Sequence, residues 1–134
     1  MNQLSAKIVN IESSEHISLV DLEAHGDRFT CVVIETPETA AYLRVGNGVT
    51  IMFKETEVSI AKNFDGQISL RNRLAATIKR IEKGAVLSKI TLDYHDVEVV
   101  SIITTRSTRS LNLQVGDAVV GLIKANEVSI LAES

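Results

Sequence analysis

Sliding the 134-residue chain along itself by 70 positions aligns it without a gap, and this internal repeat limits the possible folds more than any other feature. Asn2 falls on Asn72, Leu4 on Leu74, Ala6 on Ala76, Ile8 on Ile78, Ile11 on Ile81 and Glu12 on Glu82. Further on, Leu22 meets Leu92, His25 meets His95, and Leu43, Val45 and Gly46 meet Leu113, Val115 and Gly116. Lys54 pairs with Lys124, and Glu57-Val58-Ser59-Ile60 with Glu127-Val128-Ser129-Ile130. The chain therefore reads as two tandem copies of one small module, repeating over roughly residues 2–62 and 72–132, with domain bounds of 1–63 and 69–134. The connection Asn63-Phe64-Asp65-Gly66-Gln67-Ile68 holds one Asp-Gly turn signal and is too short to let the modules wander, so they are expected to pack together.

Each copy reads as five strands. The first alternates apolar and polar positions through Leu4, Ala6 and Ile8, or Leu74, Ala76 and Ile78, the period of two that marks a half-buried strand. The second covers Ile17–Leu22 or Leu87–Leu92 and leads into a polar turn, His25-Gly26-Asp27 or His95-Asp96. A more continuous apolar run follows at Phe29–Ile34 or Val97–Ile103. The last two strands are Val49–Phe53 with Val58–Ile60, and Val119–Ile123 with Val128–Ile130.

Between the third and fourth strands the pattern changes. Thr36–Leu43 and Arg106–Leu113 carry hydroxyl and polar residues and stop just before Val-Gly, which predicts one or two turns of helix with a hydroxyl at the N-cap in each copy. The expected fold class is all-β: two tandem OB-like five-stranded barrels, each with a short helix between strands three and four.

Composition narrows the function. Hydrophobic residues make up 45% of the chain and aromatic ones only 4%, so the cores must be aliphatic, and abundant Val and Ile favour strands. A net charge of -3 and five scattered aromatic side chains (Phe29, Phe53, Phe64, Tyr42, Tyr94) argue against a nucleic-acid partner, which needs a basic groove with stacking platforms. The one cysteine, Cys31, lies in an apolar run and reads as a small buried hydrophobe. No apolar stretch approaches the ~20 residues of a membrane span and the N-terminus lacks a signal-peptide core, so no membrane partner and a cytoplasmic location are expected.

No catalytic constellation stands out, and the chain reads as a binding protein rather than an enzyme. His16, His25 and His95 lie at or near predicted turns without ligand partners at metal-binding spacing, and the shared position of His25 and His95 fits a turn role. What does stand out is a set of hydrogen-bond donors: Ser69-Leu70-Arg71-Asn72, Thr104-Thr105-Arg106-Ser107, and Ile123-Lys124-Ala125. Hydroxyls, Arg, Lys and backbone N–H groups without competing carboxylates suit an oxyanion. Each has a plainer alternative: Ser69 and Arg71 as a solvated linker, Ser107 as an ordinary N-cap, Lys124 as a solvated strand end.

Together these groups carry a resemblance. Ser69-Leu70-Arg71-Asn72-Arg73-Leu74, then Ser107 and Leu111-Asn112-Leu113-Gln114-Val115-Gly116, then Ile123-Lys124-Ala125-Asn126-Glu127-Val128, resemble the Mop domain of the molbindins, a TOBE-like family that binds molybdate or tungstate. The likeness covers the second module and, more weakly, the first, giving a tandem, or di-Mop, arrangement. It implies an oxyanion pocket formed by Ser69, Arg71, Lys124 and Ala125, with Leu70 and Ala125 acting only through the backbone. It further implies that Thr104 and Ser107 are supplied from a neighbouring module, so that the pocket straddles an interface. A tetrahedral dianion is held through its oxygens, so no cofactor and no direct metal ligand is expected.

The first module departs from this pattern. Asn2 is preceded only by Met1, so the Ser-x-Arg has no counterpart, and Ile34 and Pro37 stand in place of Thr104 and Ser107. Lys54 is retained and is the candidate for a second site. The function implied is intracellular binding, storage or buffering of molybdate or tungstate by a homo-oligomer, a trimer before a dimer. The alternative is a molybdate-sensing regulatory module acting with a separate transcription or transporter partner.

Overall fold

In the computed structural model, which describes residues 1–133, the two copies fold with matching elements. The first contributes β1 (Asn2–Ser14), β2 (Ile17–Ala24), β3 (Asp27–Val33), β4 (Gly48–Phe53), a 3-10 turn at Glu55–Glu57, and β5 (Ser59–Ala61). The second contributes β6 (Asn72–Lys83), β7 (Leu87–Tyr94), β8 (Val97–Thr104), the helix α1 (Thr105–Ser110), β9 (Ala118–Ile123), a 3-10 turn at Ala125–Glu127, and β10 (Ser129–Ala132). The chain is mostly strand, with two antiparallel five-stranded sheets.

The expected alternation is seen along β1, where Leu4, Ala6 and Ile8 are buried and Gln3, Ser5 and Lys7 are exposed. β6 repeats it with Leu74, Ala76 and Ile78. Each sheet thus closes on one aliphatic face, and burial of a side chain such as Ile8 or Ile78 contributes about 1.5–3 kcal/mol. Both long strands break register at the same place, between Ile8 and Asn10 and between Ile78 and Arg80, and a bulge there bends the strand around the core.

The hairpins between β2 and β3 and between β7 and β8 have two-residue tips, both with left-handed backbone: His25 (φ 53°) and Gly26 (φ 82°), His95 (φ 49°) and Asp96 (φ 65°). Positive φ at both central residues matches the right-handed twist of the flanking strands. His25 and His95 therefore do hold turn positions.

The fifth strand of each sheet comes from the other copy. The strand order is β10-β4-β1-β2-β3 in one sheet and β5-β9-β6-β7-β8 in the other. β10 pairs with β4 through Ser129↔Met52 and Ile130↔Ile51, while β5 pairs with β9 through Ser59↔Leu122 and Ile60↔Gly121. The 3-10 turns that follow β4 and β9 redirect the chain across to the opposite sheet. Ser101 Oγ donates to the Val58 carbonyl at 2.6 Å, and Cys31 Sγ donates to the equivalent Val128 carbonyl at 2.8 Å, fixing both crossings. Neither sheet is contiguous in sequence.

A helix forms in the second copy alone. Thr104 is its N-cap, with extended backbone and a side chain that accepts from the Ser107 N–H at 3.1 Å. The first copy has Ile34 at that position, which offers no acceptor, and Pro37 disfavours helical backbone at Thr36. The segment instead forms a turn in which the Thr39 and Ala40 N–H groups both donate to the Thr36 carbonyl at 2.9 Å. The prediction of a helix in each copy is corrected accordingly, as is the alternative reading of Ser107 as the cap: the cap is Thr104.

Candidate functional site

β6 and β9 set the first half of the site. Asn72 opens β6 and pairs with Ile123, the last residue of β9, so Ser69-Leu70-Arg71 and Lys124-Ala125 leave the same end of one sheet side by side. The structure thus brings these five sequence-predicted residues together. Ser69, Arg71 and Lys124 are exposed; Leu70 and Ala125 are half-buried and present backbone there. Among the described residues, neither Arg71 nor Lys124 has an ion-pair or side-chain hydrogen-bond partner.

The approach to β6 is held from beneath by Arg73. Its Nε donates to the Leu70 carbonyl and its Nη2 to the Ile68 carbonyl, each at 3.3 Å, while its guanidinium lies 5.6 Å from the centre of the Phe64 ring. Asn72 fixes the next residue by bonding to the first copy. Its Nδ2 donates to the Thr30 carbonyl at 2.9 Å and its Oδ1 accepts from the Thr30 N–H at 2.6 Å. Ser69–Arg71 is therefore anchored on both sides. The exchanged strand β5 runs on the far side of β9, with Ser59 opposite Leu122.

Thr104 and Ser107 lie elsewhere. Thr104 pairs with Leu87, and Ser88 with Lys83, so both hydroxyls sit at the end of the sheet away from Asn72 and Ile123. β6 spans 12 residues between those ends, which at ~3.3 Å per residue leaves roughly 30 Å or more, beyond the reach of any two side chains. The two hydroxyls are 2.9 Å apart and exposed. Thr104 lines a surface pocket with Ala85, Val86, Arg106 and Arg109, of which Arg109 was not singled out in the sequence.

Lys54 occupies in the first copy the place of Lys124. It is exposed and lies in a pocket with Met52, Phe53, Asn126, Glu127 and Ser129, the last three contributed by the exchanged end of the second copy. No hydroxyl-bearing helix faces outward from that copy, since Thr36 is buried and its hydroxyl interacts with that of Thr39 at 3.4 Å.

A second polar cluster, unread in the sequence, joins the two hairpin tips. The His25 and His95 rings stack at 5.5 Å with an interplanar angle of 3°, and Tyr94 meets both edge-on. Tyr94 donates to Asp27 at 2.5 Å, and His95 Nε2 lies 3.7 Å from the same carboxylate oxygen. Its only sequence signal was the shared position of the two histidines. Among the described residues no group of three or more His, Cys, Asp or Glu side chains is placed to hold a metal ion.

Two strand-exchanged β-modules, one of which gathers two cations without ion-pair partners among the described residues, the Ser69 hydroxyl and backbone N–H groups at a sheet end, define a protein suited to holding an oxyanion. Residues 68–130 match the TOBE domain. Over 98% of its length the chain superposes with a TM-score of 0.92 on 96% of the cytoplasmic molybdate-binding protein ModG in its molybdate-bound form, at 26% sequence identity. A molybdate-binding protein from Sporomusa ovata is 48% identical over 45% of this chain and 90% of its own, with a TM-score of 0.44. The molybdenum import ATP-binding protein ModC of Brucella abortus is 37% identical over 81 residues, 60% of this chain. Those residues are 23% of that transporter protein, so the chain spans about a quarter of its length. The second copy thus carries the TOBE-domain match, and with its likeness to ModG over nearly the whole of both chains the chain is consistent with a Mop-type molybdate-binding protein.

Proposed function

We propose that this chain binds molybdate or tungstate as an intracellular store or buffer, by binding and not by turnover. The observation that carries the reading is the convergence of Ser69, Leu70, Arg71, Lys124 and Ala125 at one sheet end, with both cations unpaired among the described residues. Charge-assisted hydrogen bonds from such groups are the strong ones, and a dianion with four oxygens can accept several at once. Similarity to ModG over nearly the whole of both chains supports the choice of anion.

Thr104 and Ser107 complete the pocket from a neighbouring copy in a homo-oligomer, a trimer before a dimer. The first module, with Ile34 and Pro37 at the hydroxyl positions, contributes Lys54 to a second and weaker site at most. A crystal grown with tungstate tests this, because the heavy atom marks every occupied position. Density beside Arg71 and Lys124 is expected; density at Lys54 alone contradicts the assignment.

The likeness to part of a transporter ATPase favours a second reading, in which the chain senses molybdate and acts through a separate transporter or transcription partner. Recovery of one such protein from molybdate-fed cells, and its loss when molybdate is withheld, distinguishes sensing from storage.

A further inference from the structure

Lys54 and Lys124 each lead into a 3-10 turn with the same backbone, φ -73° and ψ 147° at Lys54, φ -69° and ψ 141° at Lys124. The strand ends beside them also match, since Asn2 pairs with Phe53 as Asn72 pairs with Ile123. The first copy therefore repeats the geometry of the Arg71–Lys124 sheet end while changing its chemistry. Offset by 70, Glu55 stands where the second copy has Ala125, and Met1 stands where it has Arg71.

The Glu55 carboxylate turns back across this sheet end. Its Oε2 accepts from the Met1 ammonium at 3.0 Å, and the side chain is only 34% exposed. The Met1 nitrogen is the counterpart of the Arg71 backbone nitrogen, so the carboxylate joins the turn after β4 to the start of β1. An oxyanion held between Ala125 and Arg71 makes the same crossing in the second copy. The Glu55 backbone N–H and the Met1 ammonium hold this carboxyl below the ordinary carboxylate range, which keeps it ionised at neutral pH. That N–H is the counterpart of the one an oxyanion takes from Ala125.

We propose that the Glu55 carboxylate occupies the first copy's oxyanion position as a built-in substitute for the ligand, closing a second anion site beside Lys54 that opens when Glu55 is removed. This rests on the oxyanion reading above and gives the weakness of the Lys54 site a cause beyond the missing hydroxyls. A carboxylate and a tetrahedral oxyanion compete for the same charge-assisted donors. A group tethered this closely acts at an effective concentration on the order of mM, so a more dilute free anion does not displace it. Its negative charge also repels an incoming dianion, and both effects act in the same direction.

Exchanging the two residues tests the proposal. Glu55→Ala gives the first copy the residue of the second, and Ala125→Glu does the reverse. The Glu55 ion pair lies at the surface, so melting temperatures are expected to stay near the wild-type value. In titration calorimetry on protein with its free Met1 amine, Glu55→Ala is expected to bind roughly twice as much molybdate per chain as wild type. The added binding is expected to vanish in Lys54→Gln/Glu55→Ala. Ala125→Glu is expected to bind at least roughly tenfold more weakly than wild type.

An unchanged amount of molybdate bound by Glu55→Ala, with the wild type binding normally, overturns the proposal and leaves the oxyanion reading standing. So does added binding that survives Lys54→Gln, or wild-type affinity in Ala125→Glu. Absence of heat from both the wild type and Glu55→Ala removes the oxyanion reading and the proposal together.

Discussion

Asn72 and Thr30 exchange two hydrogen bonds across the module interface: the Asn72 amide donates to the Thr30 carbonyl at 2.9 Å and accepts from its N–H at 2.6 Å. Seventy residues earlier, Asn2 does the same to Val100, at 2.8 Å in both directions. A carboxamide matches a peptide group in donor and acceptor, so each asparagine acts as a one-residue strand partner to β8 or β3 of the other copy. The same residue that opens β6 beside Arg71 thereby ties the anion end to the first module.

Substituting Asn72 by Ala leaves the Thr30 N–H and carbonyl without their partners, and at 0% exposure Asn72 has no water to replace it. A loss of about 2–4 kcal/mol of unfolding free energy is expected in urea denaturation. Asn2→Ala should lose a similar amount. A change within about 0.5 kcal/mol for either would show that these bonds do not hold the modules together.

Cys31 and Ser101 occupy the same place in the two copies and make the same bond, to Val128 and Val58. Cys31→Ser should therefore be close to neutral, whereas Cys31→Ala should cost about 1–2 kcal/mol by removing the donor to a buried carbonyl. Thermal melting of the two variants ranks them, and a serine variant less stable than the alanine one would contradict the equivalence.

Much of this architecture was legible in the sequence. The repeat located both copies, and the alternation through Leu4, Ala6 and Ile8 gave the strands, because half-burial imprints a local period. Strand exchange was not legible. Ser59–Ala61 and Ser129–Ala132 have the same composition whichever sheet they join, and the choice is made by contacts such as Ser101 to Val58, far apart in the chain. The missing helix in the first copy turned on one capping hydroxyl, Thr104 against Ile34. For the site, Ser69, Arg71 and Lys124 came from a motif and their adjacency from the Asn72↔Ile123 register, whereas Arg106 was read only as a donor beside Thr104 and Ser107, and Arg109 carried no motif signal.

Alkaline pH should unfold the protein. Burial pushes the Cys31 thiol up to about 12 from its ordinary 9.0, and burial together with carboxylate hydrogen bonds raises the phenols of Tyr42, beside Glu35, and Tyr94, beside Asp27. Each group keeps its proton longer when folded than when unfolded. Their contribution is fully present below about pH 9 and is lost as pH rises towards 12. Denaturation midpoints should fall steadily from pH 9 to 11, and Cys31→Ser should show a shallower fall.

Tyr94→Phe removes the donor to Asp27 while keeping the buried ring against Phe29, whose centroid lies 6.5 Å away. Because Asp27 is partly exposed and water can replace the hydroxyl, a modest loss of about 1 kcal/mol is expected by chemical denaturation. A loss above about 3 kcal/mol would mean that the hairpin tips carry more of the module interface than the asparagine pairs do.

Isothermal titration of wild-type protein with molybdate, set beside Ser69→Ala, Arg71→Ala, Lys124→Ala, Thr36→Ala and Thr39→Ala, tests the oxyanion site most directly. The first three variants should each lose about tenfold or more in affinity, and the two threonine variants should bind as the wild type does. Equal losses in both sets, or no heat from the wild type, would contradict an anion site built on the second module.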